Sequence, residues 1–327
     1  MTKSFVVNSE AGLKNQMAQA RIICIVGMHR SGTSMIAGLV NRSGLDLGPA
    51  DRLLKADKAN PLGHFEHRGF LDIDRKLLKH FRATWHCPPD LPPNWENAPS
   101  LSPLLHQARA LAASFPRHKS WGWKEPRASL FLPFWRKAIP NMRFLICLRN
   151  PLEVAQSLEK RNHKSIADGA WLWYLYTLSS LRDTRQCPRL FSFFDDYFAR
   201  GNEEIRRVLD FCGLEDFHDD AVIESAIESE LRHNKSGDQR LRDEAAIPGE
   251  CKKLYLGLRS ILASPELRTE IPNETQGAGI SSTVDSFVAE FDSHLAFRYF
   301  SQSRIAGNKN LLAGQALKNF LKTFRGA

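Results

Sequence analysis

The stretch IICIVGMHRSGTS, residues 22–34, decides how the rest of the chain is read. Its first five residues are apolar and mostly β-branched, and they end at Gly27, the pattern of a buried parallel strand. Gly27 and Gly32 stand at the spacing of the phosphate-binding pattern G-x-x-x-x-G-K-[ST], and Ser34 fills its last place. Residues 33–40 then read as a helix with Met35, Ile36, Leu39 and Val40 on one face. Strand, glycine loop and helix in succession make a phosphate loop credible. Two residues depart from the pattern. Thr33 stands where a nucleotide triphosphatase carries lysine, and Arg30 sits inside the loop. The glycines let backbone amides approach an oxyanion, and the helix N-terminus adds partial positive charge. Thr33 and Ser34 can donate hydroxyls, with Arg30 beside the anion.

Further elements follow along the chain. A helix is expected over 67–82, where Phe70, Ile73, Leu77, Leu78 and Phe81 keep helical spacing. Residues 87–103, rich in proline, read as an extended loop within 86–103 that could face substrate as a lid. Ser102-Pro103 opens the next helix, with a buried stripe at Leu101, Leu104, Leu105, Ala108, Leu111, Ala112 and Phe115. A short helix at 129–137 precedes a second strand at 142–148, MRFLICL. Asn150-Pro151-Leu152-Glu153 is a capping signature for a helix running to Arg161. An aromatic helix over 168–186, a strand-like run RLFSFFDD and a helix over 202–212 stopped by Gly213 complete the pattern. Alternating strands and helices imply a parallel sheet covered on both faces, with ligands at the strands' carboxyl ends. Beyond residue 235 only two helical stripes stand out, at 284–298 and 311–324.

The 327 residues suit one large α/β domain or a domain with an appendage. An apolar share of 43% and a charged share of 25% can build a substantial core. No apolar run approaches the roughly 18 residues of a membrane span, and the N-terminus lacks the apolar stretch of a secretory signal. A cytoplasmic location is the expectation. The six cysteines, at 24, 87, 147, 187, 212 and 251, form no metal-spaced pair and read as reduced structural thiols. A net charge of +9 favours an anionic partner. The charge is scattered, so no nucleic acid is expected as partner. The exception is a tail carrying Lys309, Lys318, Lys322 and Arg325, which could touch an acidic membrane, peripheral to the inner membrane, or pack on the domain.

The strand ends narrow the ligand. A magnesium-dependent nucleotide triphosphatase needs the loop lysine and an acid at a neighbouring strand end. Here the lysine is missing and the strand 142–148 ends in Arg149, a fork for phosphate or carboxylate oxygens. Arg149 and Ser157 could supply a second anion site, so a ligand with phosphates at two places would explain both strand ends. Asp195 and Asp196 keep open a P-loop kinase or nucleotide hydrolase using magnesium. A nucleotide- or nucleic-acid-binding module without catalysis is the other alternative.

Four stretches in order resemble a known family over roughly residues 21–235. They are GMHRSGTSM, NPLGHFEHRGFLDID, WGWKEPR and RNPLEVAQSLEKR. The chain resembles sulfotransferases that use 3′-phosphoadenosine 5′-phosphosulfate (PAPS), of the bacterial branch acting on glycans and small molecules. The K-[DE]-P-R element usually carries Asp where this chain has Glu125. The resemblance implies an α/β, three-layer, P-loop-like parallel sheet flanked by helices. It implies an N-terminal segment (1–20), the sulfotransferase-like domain (21–235) and a helical C-terminal extension (236–327). It implies that Arg30, Ser31, Gly32, Thr33 and Ser34 hold the 5′-phosphosulfate, that Arg149 and Ser157 hold the 3′-phosphate, and that Arg232 reaches the latter. It implies Glu66 as the base, with His64 as second choice, and Arg30 stabilising charge on the bridging oxygen. Glu66 could alternatively serve only the dipole of the following helix. Lys124 and Arg127 would line the substrate site. The implied partner is a hydroxyl-bearing acceptor, a glycan or small molecule, and no metal is required.

Overall fold

The computed structural model describes residues 20–57, 63–215, 217, 236–272 and 282–302. Its centre is a sheet of β1 (Ile22–Val26), β2 (Trp121–Lys124), β3 (Met142–Leu148), β4 (Arg189–Phe193) and β5 (Thr269–Glu270). The strand order is β2-β1-β3-β4-β5. The first four strands pair in parallel and β5 closes one edge antiparallel to β4.

Alternate residues of β1 and β3 feed two separate cores, as strand geometry requires. Ile23, Ile25, Leu145 and Cys147 pack with α1 (Thr33–Arg42) and α8 (Gly201–Cys212) on one face. Cys24, Val26, Phe144 and Ile146 face the other, larger core. That core holds α2 (Arg68–His80), α3 (Ser102–Ala113), α4 (Leu132–Ala138), α5 (Pro151–Asn162) and α6 (Ile166–Asp183). An aromatic stack of Phe70, Trp123 and Trp135 lies at its centre, with Phe70 and Trp123 ring centroids 4.4 Å apart. The sheet is therefore the middle of three layers, the α/β, P-loop-like arrangement expected.

Several elements differ from expectation. The strand β2 was not expected, because WGWK is short and holds a glycine and a lysine. Gly122 is required there, since a Cβ would stand 2.3 Å from the Ile23 carbonyl oxygen of β1. The N-cap of α3 is Leu101, with Ser102 already helical and Pro103 in the first turn. Its stripe is shallower than expected: Ala108 alone within the helix is buried. The stripe at 284–298 is two pieces, α11 (Thr283–Val288) and a helical stretch at 294–302, separated by a turn. The stripe at 311–324, with the basic tail, lies outside the described residues.

The C-terminal residues hold more structure than the sequence reading found. Between α8 and β5 come α7's successors α9 (Asp238–Asp243) and α10 (Gly249–Ile261), where α7 spans Asp196–Ala199. Cys251, Leu254, Tyr255 and Leu258 of α10 are buried in the same large core. The second half of the proline-rich loop lies by the strands' amino ends. Lys137, at the end of α4, donates to the Glu96 carbonyl (3.3 Å) and to Asn97 Oδ1 (2.9 Å), holding 96–97 at the amino end of β3. That half of the loop is no lid over the strand ends.

Candidate active site

The phosphate loop leaves β1 at Gly27, whose φ of 138° and a Cβ clash at 2.5 Å with the Cys147 carbonyl oxygen exclude a side chain. The Gly27 amide donates to Ser129 Oγ at 3.0 Å. The Ser31 amide donates to the Met28 carbonyl, which turns the chain back on itself. Gly32 then caps α1 at φ 86°, with Phe194 packed where a Cβ would stand. The amides of the first turn of α1 have no intrahelical carbonyl to meet, the arrangement that binds anions. Among the described residues Ser31 Oγ is buried with no hydrogen-bond partner.

The second strand end meets this loop. Arg149, directly after β3, donates from Nη1 to the Arg30 carbonyl at 3.1 Å. Arg30 itself has a positive φ of 72° and donates from Nε to Ser157 Oγ at 2.8 Å. The two segments adjoin because β1 and β3 are neighbours in the sheet while α1 and α5 lie on opposite faces, so the chain diverges there and opens a crevice. Burial, then Arg161 and Arg149, pull the Arg30 pKa below its ordinary value. Three guanidinium groups crowd one place, which an anion would relieve.

The Arg149 side chain is anchored rather than exposed. Its Nε donates to Glu153 Oε2 at 2.8 Å and its guanidinium carbon lies 4.0 Å from the Phe194 ring centroid. Glu153 Oε1 also accepts from the Ser236 amide at 2.7 Å. Glu153 thus orients Arg149. Asn150 does cap α5, accepting from the Leu152 amide, and its Nδ2 donates to the Ser236 carbonyl.

A third strand end joins the first. Lys124 closes β2 and its Nζ reaches Ser34 Oγ (3.2 Å) and Glu66 Oε1 (2.6 Å). Glu66 comes from the segment before α2, which is held by an antiparallel bridge between Leu53 and His67. Its carboxylate is taken up by Lys124. Burial pushes the Glu66 carboxyl up, but Lys124, with Arg127 and His64, outweighs it and holds the pKa below the ordinary value. His64 instead pairs through Nε2 with Asp57 Oδ2 at 3.0 Å. His67 caps α2 through Nδ1. Arg127 lies one turn on, donating from both its amide and Nη1 to Glu125 Oε1. Arg232 lies outside the described residues.

The structure thus gathers Arg30, Ser31, Gly32, Thr33, Ser34, Arg149, Ser157, Glu66 and Lys124 around three adjacent strand ends. Sequence reasoning missed His29, whose ring stands edge-on to Trp85 (5.0 Å) and Tyr176 (6.0 Å), with Nε2 buried and unpartnered. Burial first, then Arg127, Lys124, Arg161 and Arg30, push its pKa well down, so it stays neutral. Its position inside the loop was a signal available in the sequence. Asp196 is claimed by other residues: Arg259 at 3.0 Å and Arg268 at 2.5 Å hold its carboxylate.

No curated protein matches the sequence. Among solved structures the chain is similar to the sulfotransferase domain of the Synechococcus PCC 7002 olefin synthase. That match has 14% identity and a TM-score of 0.39, over 83% of this chain and 95% of that one. It is similar to the sulfotransferase STF9 from Mycobacterium avium (14% identity, TM-score 0.37, 69% and 73% covered). It is also similar to retinol dehydratase in complex with androsterone and the inactive cofactor PAP (17% identity, TM-score 0.34, 86% and 78% covered). A model of the sulfotransferase family matches residues 23–219, well over half of the chain, and the protein belongs to that family of transferase enzymes.

Proposed function

We propose that the protein transfers a sulfuryl group from PAPS to a hydroxyl of a carbohydrate or small molecule. The observation that carries this reading is the junction of two anion-binding strand ends through Arg30, Ser157 and Arg149. A ligand with a 5′-phosphosulfate and a separate 3′-phosphate matches two such ends. Ser31 Oγ, the first-turn amides of α1 and Arg30 would hold the phosphosulfate. Arg149 and Ser157 would hold the 3′-phosphate.

The acceptor oxygen attacks sulfur in line, the bond from sulfur to the bridging phosphate oxygen breaks, and adenosine 3′,5′-bisphosphate departs. Arg30 and Lys124 meet the negative charge that grows on the bridging oxygen. Glu66 takes the acceptor proton. Its lowered pKa keeps it ionised at neutral pH, and such a weak base suits a proton transfer late in the attack, when the hydroxyl has become acidic. The magnesium-dependent kinase reading would require Asp195 or Asp196, and the arginine partners of Asp196 disfavour it.

Calorimetry with adenosine 3′,5′-bisphosphate and adenosine 5′-monophosphate tests the donor. The bisphosphate is expected to bind at least tenfold tighter, and equal affinities would remove the second anion site from the proposal. Labelled PAPS with a panel of acceptors, with and without EDTA, then tests the reaction. Activity abolished by EDTA would favour the magnesium reading.

A further inference from the structure

Beneath Ser34 lies a cluster of five ionisable side chains: Glu66, Asp74, Lys124, Glu125 and Arg127. Asp74 and Glu125 are 0% exposed and Lys124 is 1% exposed. Lys124 takes up Glu66, and Arg127 takes up Glu125 through Oε1 alone. Glu125 Oε2 is buried with no partner. Asp74 Oδ1 accepts from the Trp135 indole N–H at 2.9 Å, while Asp74 Oδ2 is likewise buried and unpartnered. Among the described residues three carboxyls therefore stand against two cations, with one acceptor oxygen left over on each of two acids. An uncompensated charge in such a place is costly, and so is each unsatisfied oxygen.

We infer that Asp74 carries a proton in the folded protein, so that the cluster beneath the phosphate loop is electrically neutral. One proton on Asp74 balances the charges, two acids against two cations. Asp74 is the holder because Glu125 already receives two bonds from Arg127, one charge-assisted, which favour its anion. Asp74 receives only a neutral indole N–H. The charged and titratable groups that act on the two acids are Cys24 of β1, Glu66 before α2, Lys124 at the end of β2, Arg127 in the following turn and Tyr176 of α6. Burial first, then Glu125, push the Asp74 carboxyl well above its ordinary value. Burial, then Glu66, push Glu125 up against the pull of Arg127. Asp74 is thus a positioning residue. Its proton leaves Glu66 ionised and Lys124 directed at Ser34, whichever acceptor the enzyme uses.

Infrared difference spectroscopy of the full chain at pH 7 tests this directly. Wild type minus Asp74→Asn should show the C=O stretch of a protonated carboxyl, and [4-¹³C]aspartate labelling should shift that band. Glu125→Gln should also remove it, because the acid count then equals the cation count. A difference spectrum without the band, or a band that shifts with labelled glutamate instead, overturns the inference. Denaturant unfolding across pH gives a second measurement. The folded state keeps a proton that the unfolded chain releases above about pH 4. Wild-type stability should therefore fall relative to Asp74→Asn as pH rises from 4 towards 7. A pH-independent difference between the two proteins would show that Asp74 acts only through packing.

Discussion

The pairing of Glu66 with Lys124 at 2.6 Å sets what this carboxylate can do. As the base it should be replaceable only at a cost of about 10²–10⁴ in turnover. Glu66→Gln is therefore expected to lower kcat by that range while leaving affinity for adenosine 3′,5′-bisphosphate near that of wild type. Unchanged turnover would pass the role to His64. The pH profile separates the two. The lowered Glu66 pKa predicts that activity persists on acidification until below the ordinary glutamate value, since the carboxylate is lost only as pH falls through its folded pKa. An acid limb near the ordinary histidine value of about 6.5 would identify an imidazole instead. Arg149→Ala should weaken adenosine 3′,5′-bisphosphate by about 1.5–3 kcal/mol, the worth of a charge-assisted bond, with little effect on adenosine 5′-monophosphate. Equal loss for both ligands would sink the 3′-phosphate assignment. Arg30, Arg149 and Ser157 were legible because their meaning lies in short local patterns. The contact of Lys124 with Glu66 was not, because it joins residues far apart in the chain that only the sheet brings together.

At the scale of elements, the position of Ser157 depends on how closely α5 approaches α6. Gly169 of α6 lies against Ala155, and a Cβ there would stand 2.7 Å from the Ala155 Cα. Gly169→Ala should push the helices apart, costing about 1–3 kcal/mol in urea unfolding and weakening the bisphosphate with it. Loss of stability without loss of binding would mean that α5 moves as a unit with β3. Helices with strong stripes were legible to within a few residues: the expected 67–82 is Arg68–His80 and the expected 168–186 is Ile166–Asp183. The strand β2 was not, since four residues carry too little periodicity and its glycine answers to a neighbouring strand. Glu153 also binds Arg149 and the Ser236 amide, and the contact with Ser236 joins residues far apart in the chain.

Across the whole molecule, buried arginines tie the C-terminal residues to the sheet. Arg189 of β4 is 0% exposed and reaches Glu270 Oε2 (2.6 Å), Asp285 Oδ1 (2.7 Å) and Ser282 Oγ (3.1 Å). Arg268 joins Asp196 to Glu204 in the same way. Removing Arg189 leaves Glu270 without its cation and Asp285 with only the more distant Arg185 (3.7 Å), so Arg189→Met should cost about 3 kcal/mol, less than a fully buried pair because Glu270 is partly exposed. Unfolding of wild type and variant in urea measures it. Residues beyond 280 should also become the first sites of limited proteolysis in the variant, and an unchanged cleavage pattern would deny the arginine that anchoring role. Among the described residues no helix is long and apolar enough to cross a membrane.

The sequence by itself determined the phosphate loop, the two parallel strands that flank the crevice, and the substitution of arginine for a metal-holding acid at the end of β3. These follow from local rules of spacing, strand burial and side-chain chemistry, which need no knowledge of distant residues. Tertiary structure alone decided which charges meet. It paired Glu66 with Lys124, Arg149 with Glu153 and Asp196 with Arg259 and Arg268, and it buried Asp74 against a neutral indole. A buried charge takes its partner from whatever the packed layers bring within reach, and that choice is made only when the sheet and its two helical layers close.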